Sequence, residues 1–95
     1  MNLSEYQRWV LSRKGASADL GTHYNALALC GEAGELANYV KKEWRNPKLD
    51  MTHEIQLEVG DILYYLIHLA AYKGINLEKA ADMNVKKLTE RDRVS

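Results

Sequence analysis

From Ile62 to Tyr72 the chain runs through eleven residues that, His68 apart, are all aliphatic or tyrosine. On a helix, Ile62, Leu63, Tyr64, Tyr65, Leu66, Ile67, Leu69, Ala70 and Ala71 point in almost every direction, so one partner helix cannot cover them. The run is about half the length that a bilayer span needs. Its cover must therefore be protein. A chain of 95 residues buries only roughly 60–65% of its unfolded surface, so part of that cover is expected from a second copy.

Around this run the sequence reads as helix throughout. One proline and six glycines punctuate stretches rich in Leu, Ala, Lys and Glu, without strand-like alternation. Ser4 and Gln7 suggest a capping box for a first helix over residues 4–14, with Tyr6, Trp9, Val10 and Arg13 on one face and Gly15 as its end. Residues 16–21 read as a linker. Thr22 can cap a second helix to residue 45, stopped by Asn46-Pro47. Asp50 or Thr52 can cap a third, running to residue 73 with Gly74 as the left-handed residue beyond it. Asn76 can cap a fourth, over residues 77–91. The expectation is one all-α domain over residues 1–95: two long antiparallel helices, shorter N- and C-terminal helices, and completion by oligomerisation.

Charge and cysteine content exclude several classes. Thirteen Lys plus Arg balance thirteen Asp plus Glu, so bulk charge attracts neither a nucleic acid polymer nor an anionic membrane. A hydrophobic share of 46% with 27% charged residues belongs to folded chains rather than disordered ones. The single Cys30 can form no internal disulfide, and with His23, His53 and His68 scattered it builds no zinc site. Residues 1–7 have neither the basic start nor the apolar core of a secretory leader. A cytoplasmic setting is expected.

Four carboxylates carry the chemistry. Glu32 and Glu35 stand about 60° apart on the second helix, beside an apolar stripe read as Leu29, Ala33, Leu36 and Val40. Alone, such a pair is usually a solvated face. On the third helix, however, Glu58 occupies the same stripe as Ile62, Tyr65 and Leu69, with Asp61 beside it. An unpaired buried carboxylate is costly, and no Lys or Arg lies within helical reach of Glu58. Either a base from a distant helix neutralises it or a cation does. Paired acids on neighbouring helices supply the hard oxygen ligands that Mg²⁺ or Mn²⁺ prefer. Gly31 and Gly34 leave that face of the second helix without bulk, for a neighbouring helix or a phosphate group. No Glu has a His three residues later, which argues against a di-iron oxidase bundle.

The segments Gly31-Glu32-Ala33-Gly34-Glu35-Leu36-Ala37 and Leu57-Glu58-Val59-Gly60-Asp61-Ile62-Leu63-Tyr64-Tyr65-Leu66, separated so that twenty-two residues lie between Glu35 and Glu58, closely resemble the MazG-like nucleoside triphosphate pyrophosphohydrolases. Their signature is E-x-x-E, a spacer, then E-x-x-D. Asn84-x-x-Lys87-Leu88-x-x-Arg91 is similar to the closing helix of that family. Gly31 stands where many members carry a further Glu, so a fifth carboxylate is missing. The resemblance implies an all-α dimer or tetramer that hydrolyses an NTP or dNTP to monophosphate and pyrophosphate with Mg²⁺. It assigns metal binding and catalysis to Glu32, Glu35, Glu58 and Asp61.

Asn84, Lys87 and Arg91 fall at i, i+3 and i+7, where they could hold phosphate oxygens. For the base, Trp9 and Tyr65 are the preferred stacking residues among several aromatics, including Trp44, Tyr24 and Tyr39. Two further readings stay open: a phosphoribosyl-ATP pyrophosphohydrolase-like enzyme, and a catalytically silent helical oligomer that binds a nucleotide or a partner.

Overall fold

The computed structural model describes residues 1–94 as five helices, α1 (Leu3–Ser12), α2 (Ala16–Asp19), α3 (Gly21–Arg45), α4 (Thr52–Tyr72) and α5 (Leu77–Val94). Its centre is the antiparallel hairpin of α3 and α4, the largest interface of the chain. The link between them is tied at both ends. Glu43 accepts a hydrogen bond from Met51 N–H at 2.7 Å, while Asp50 accepts from the Thr52 amide at 3.0 Å and its hydroxyl at 2.6 Å. Asp50 thus caps the entry to α4 from outside, and Met51 takes the N-cap position without a side-chain bond. At the other end of α4, Ile75 N–H reaches Ala70 O at 2.8 Å and Gly74 N–H reaches Ala71 O at 3.1 Å. This is a Schellman turn, which requires the positive φ of 65° at Gly74.

Three local expectations change. The first helix begins at Leu3, one residue earlier than expected, because extended Asn2 caps Glu5 N–H at 2.8 Å and Glu5 returns a bond to the Asn2 amide, and it ends at Ser12 with Arg13 as its cap; Ser4 and Gln7 lie inside the helix. Residues 16–21 are not a plain linker, since they contain α2, held on α3 by the fully buried Asn25. Asn25 Nδ2 donates to Ser17 O at 2.9 Å and to Gly21 O at 2.7 Å, and the Tyr72 hydroxyl donates to Ala18 O. The α2–α3 junction turns on Gly21, with φ of 81° and Leu20 at the N-cap, so Thr22 does not cap α3.

The buried stripe of α3 also differs. Asn25, Leu29, Glu32, Leu36, Tyr39 and Glu43 are buried or half-buried, whereas Ala33 and Val40 are exposed. This stripe is rotated by about 50° from the expected apolar one. The polar residues Glu32 and Glu43 therefore turn inward, and Cys30, Ala33, Ala37, Val40 and Trp44 form an outward face.

The core inside one chain is small. Val10 of α1 is fully buried against the hairpin, and with Ile67 and Ala70 it makes up the buried apolar residues among those described. α5 packs only marginally on the rest. The radius of gyration is 16.1 Å, against about 12 Å for a compact chain of this length.

Candidate functional site

The register of the α3–α4 hairpin brings the acids of the two helices together. Carboxylate oxygens of Glu32, Glu58 and Asp61 lie within 4.8 Å of one another. Glu58 is only 7% exposed, Glu32 is half-buried and Asp61 is open to solvent, so the cluster grades from interior to surface. Glu35, one turn along α3, is exposed and adjoins Glu58 without joining the three-residue cluster. All four sequence-predicted acids thus meet at one place.

Electrostatics make this cluster unfavourable by itself. The Glu58 carboxyl is pushed up to about 8, first by Glu32, which accepts a hydrogen bond from its protonated form, then by burial and by Glu35. Its Oε2 is buried without a partner. Among the described residues the one ion pair joins Arg91 to Asp92 at 3.7 Å on α5, so no distant base neutralises Glu58. An oxygen-only set of acids with an orphaned buried oxygen fits a hard divalent cation such as Mg²⁺ or Mn²⁺. Gly31 and Gly34 border the cluster on an open surface where an added Cβ would meet nothing within 4 Å. No helix of this chain presses on them.

Tyrosines surround the acids. Tyr65 is half-buried, and its hydroxyl ionises less readily because of burial and the neighbouring Tyr24, Glu32 and Asp61. Tyr6 of α1 is likewise shifted upward by burial, Asp61 and Tyr64. Sequence reasoning selected Trp9 from that helix. Trp9 is 46% exposed, its ring 6.0 Å from that of Tyr6 and 4.8 Å from the Arg13 guanidinium. Tyr6 therefore stands nearer the acids, with Trp9 behind it. The available signal was the shared α1 face of Tyr6, Trp9 and Val10, which does not say which aromatic residue reaches the neighbouring helix.

Asn84, Lys87 and Arg91 are exposed on α5. Asn84 borders an apolar groove of about 550 Å³ formed with Leu3, Leu63, Ile67 and Leu77. Because α5 makes no extensive interface within the chain, the structure does not pack this basic face onto the acidic cluster.

Residues 21–94 match the family model described as MazG nucleotide pyrophosphohydrolase domain. The Gene 37 protein of Mycobacterium phage L5 is 37% identical over 75 residues, covering 75% of this chain and 66% of that protein's length. No solved structure matches. No described helix is long and apolar enough to cross a membrane.

Proposed function

The chain belongs to the MazG nucleotide pyrophosphohydrolase family, and on that premise we propose that it hydrolyses an NTP or dNTP to the monophosphate and pyrophosphate, clearing or adjusting a cytoplasmic nucleotide pool. The observation that carries this reading is the cluster of Glu32, Glu58 and Asp61 with its unpartnered buried oxygen. These residues and Glu35 would hold Mg²⁺, with Mn²⁺ as a substitute. When bound, the metal neutralises triphosphate oxygens and acidifies water.

The chain's own groups divide the remaining work. Glu58, buried in α4, would form the inner end of the site, and Asp61 would present a carboxylate on the solvent side where a triphosphate arrives. One of the carboxylates would orient the attacking water and accept its proton, and Glu35, exposed beside Glu58, is our candidate for that role. The water oxygen forms a bond to phosphorus as the phosphoanhydride bond between the α- and β-phosphates breaks, and the two products are the monophosphate and pyrophosphate. Tyr65, with Tyr6 and Trp9 beyond it, walls the site. Asn84, Lys87 and Arg91 supply an amide and two cations for phosphate oxygens distant from the acids.

We further propose that one domain, residues 1–95, acts as a homodimer or homotetramer. A single chain leaves Leu27, Val40 and Trp44 of α3 exposed at 74%, 44% and 82%, and its radius of gyration exceeds that of a compact chain by roughly 4 Å. A second copy laid on the outward face of α3 would bury these residues beside Ala33, Gly34 and Ala37, whose small size permits close helix approach.

The test is a panel of NTPs, dNTPs and phosphoribosyl-ATP with Mg²⁺, assayed for monophosphate-type product plus pyrophosphate. Turnover of a nucleoside triphosphate that Glu58→Gln abolishes supports the reading. No turnover of any substrate, or turnover unchanged in that variant, overturns it.

A further inference from the structure

His68 lies seven residues beyond Asp61 on α4, about 10.5 Å along the helix and only about 20° away around it. It is 3% exposed, and its Nε2 has no hydrogen-bond partner. The ring packs edge-on against Tyr64 at 4.9 Å and lines, with Leu11, Ala18, Ala71 and Tyr72, a cavity of about 260 Å³ between α1, α2 and α4. The other polar group of the wall is already engaged, because the Tyr72 hydroxyl donates to Ala18 O. His68 therefore has unused hydrogen-bonding capacity facing a cavity of mixed lining, in which apolar side chains alternate with polar groups.

The lining narrows the ligand class. No Lys or Arg borders the cavity, so it is not built for phosphate. No second ligating side chain accompanies His68 there, so it is not a metal site. Burial pushes the imidazole pKa down, leaving a neutral ring with one donor and one acceptor. A small planar heterocycle with apolar faces and a hydrogen-bonding edge meets all these conditions.

We propose that this cavity receives the nucleobase of the substrate and that His68 hydrogen-bonds its edge, setting base preference. The inference rests on the triphosphate being held at the acidic cluster; the helical spacing then places the cavity one nucleoside length away, past Tyr64 and Tyr65. His68 is a specificity residue here and takes no part in bond breaking.

Two variants test it. His68→Phe keeps an aromatic ring without its nitrogens, and Leu11→Trp fills the cavity from a residue that is 49% exposed and so leaves the core intact. Relative kcat/KM is measured across the four bases, with tripolyphosphate as a base-free probe of the acidic site. Both variants are expected to reduce the preference for the best base by about tenfold or more, mainly through KM, while Mg²⁺-dependent inhibition by tripolyphosphate stays as in the wild type. Unchanged base preference in a folded, active Leu11→Trp protein overturns the proposal, whether or not His68→Phe folds. If the wild type hydrolyses no nucleotide, the proposed activity fails, and nucleoside titration followed by the Leu11 methyl signals decides the pocket alone: shifts support it, and none at saturating nucleoside overturns it.

Discussion

Glu58 of α4 and Glu32 of α3 face each other across the largest helix interface of the chain, with carboxylate oxygens within 4.8 Å and no base between them. Glu32 makes the charged form of Glu58 less favourable. The pair therefore opposes folding unless a proton or a cation occupies the gap.

Glu58→Gln should separate stability from function. Gln is neutral at every pH, so the variant escapes the cost of either protonating Glu58 on folding or holding its charge beside Glu32 and Glu35, and the metal-free melting temperature at neutral pH should rise by a few degrees. Turnover should fall by at least about 100-fold, since loss of groups merely supporting a metal ligand already costs 10–100-fold in typical sites. Calorimetric melting with and without Mg²⁺ checks the first part: the wild type gains stability from the ion, and the variant gains little.

The pH dependence follows from the same carboxyl. Its folded-state value of about 8 stands above the ordinary carboxyl value of 4.5, so between these limits the folded chain binds more protons than the unfolded one. The contribution is fully stabilising below about 4.5 and is lost as pH rises through about 8. Metal-free protein should thus become less stable across this window. Mg²⁺ affinity should increase over the same range, because the ion must displace that proton. Urea unfolding in chelator and Mg²⁺ titration calorimetry, each at several pH values, would show the opposite trends.

Ala37→Arg tests the assembly. The residue is exposed on the outward face of α3 and borders no carboxylate of the cluster, so the single chain accommodates the charge. Light scattering should give a multiple of 10.9 kDa for the wild type and a shift toward that mass for the variant. A monodisperse wild-type species of one chain mass would contradict the assembly.

Asn25→Ala should destabilise the protein by about 2–4 kcal/mol, because it opens a cavity at a fully buried position and leaves Ser17 O and Gly21 O without their donor. In a domain of this size the melting temperature should drop by roughly 10 °C or more. The loss should be accompanied by earlier hydrogen exchange in α2 than in the centre of α4.

Much of this protein was legible in residue spacing. The third-helix stripe Glu58, Ile62, Tyr65 and Leu69 faces the hairpin interface as expected, and Gly74 and Asn76 terminate and cap where their backbone chemistry dictates. The acid pairs at i and i+3 also converge. Helical periodicity fixes directions along one helix, and the short α3–α4 connection fixes which helices meet.

The rotation of α3 was decided elsewhere. Two stripes share Leu29 and Leu36, one completed by apolar Ala33 and Val40 and the other by Asn25, Glu32, Tyr39 and Glu43. Hydrophobicity favours the first, yet the chain buries the second and leaves the apolar one for another surface. Likewise, the α1 pattern could not distinguish Tyr6 from Trp9, and nothing near His68 in sequence announces the cavity contributed by α1 and α2.

By itself, then, the sequence determined the helical class, the hairpin and the four acids, because these depend on local propensity and spacing within single segments. The tertiary structure decided which face of α3 turns inward, how Glu58 comes to lack a counter-charge and what surrounds His68. Those outcomes depend on the rotation and approach of neighbouring helices, which the period of one helix does not contain.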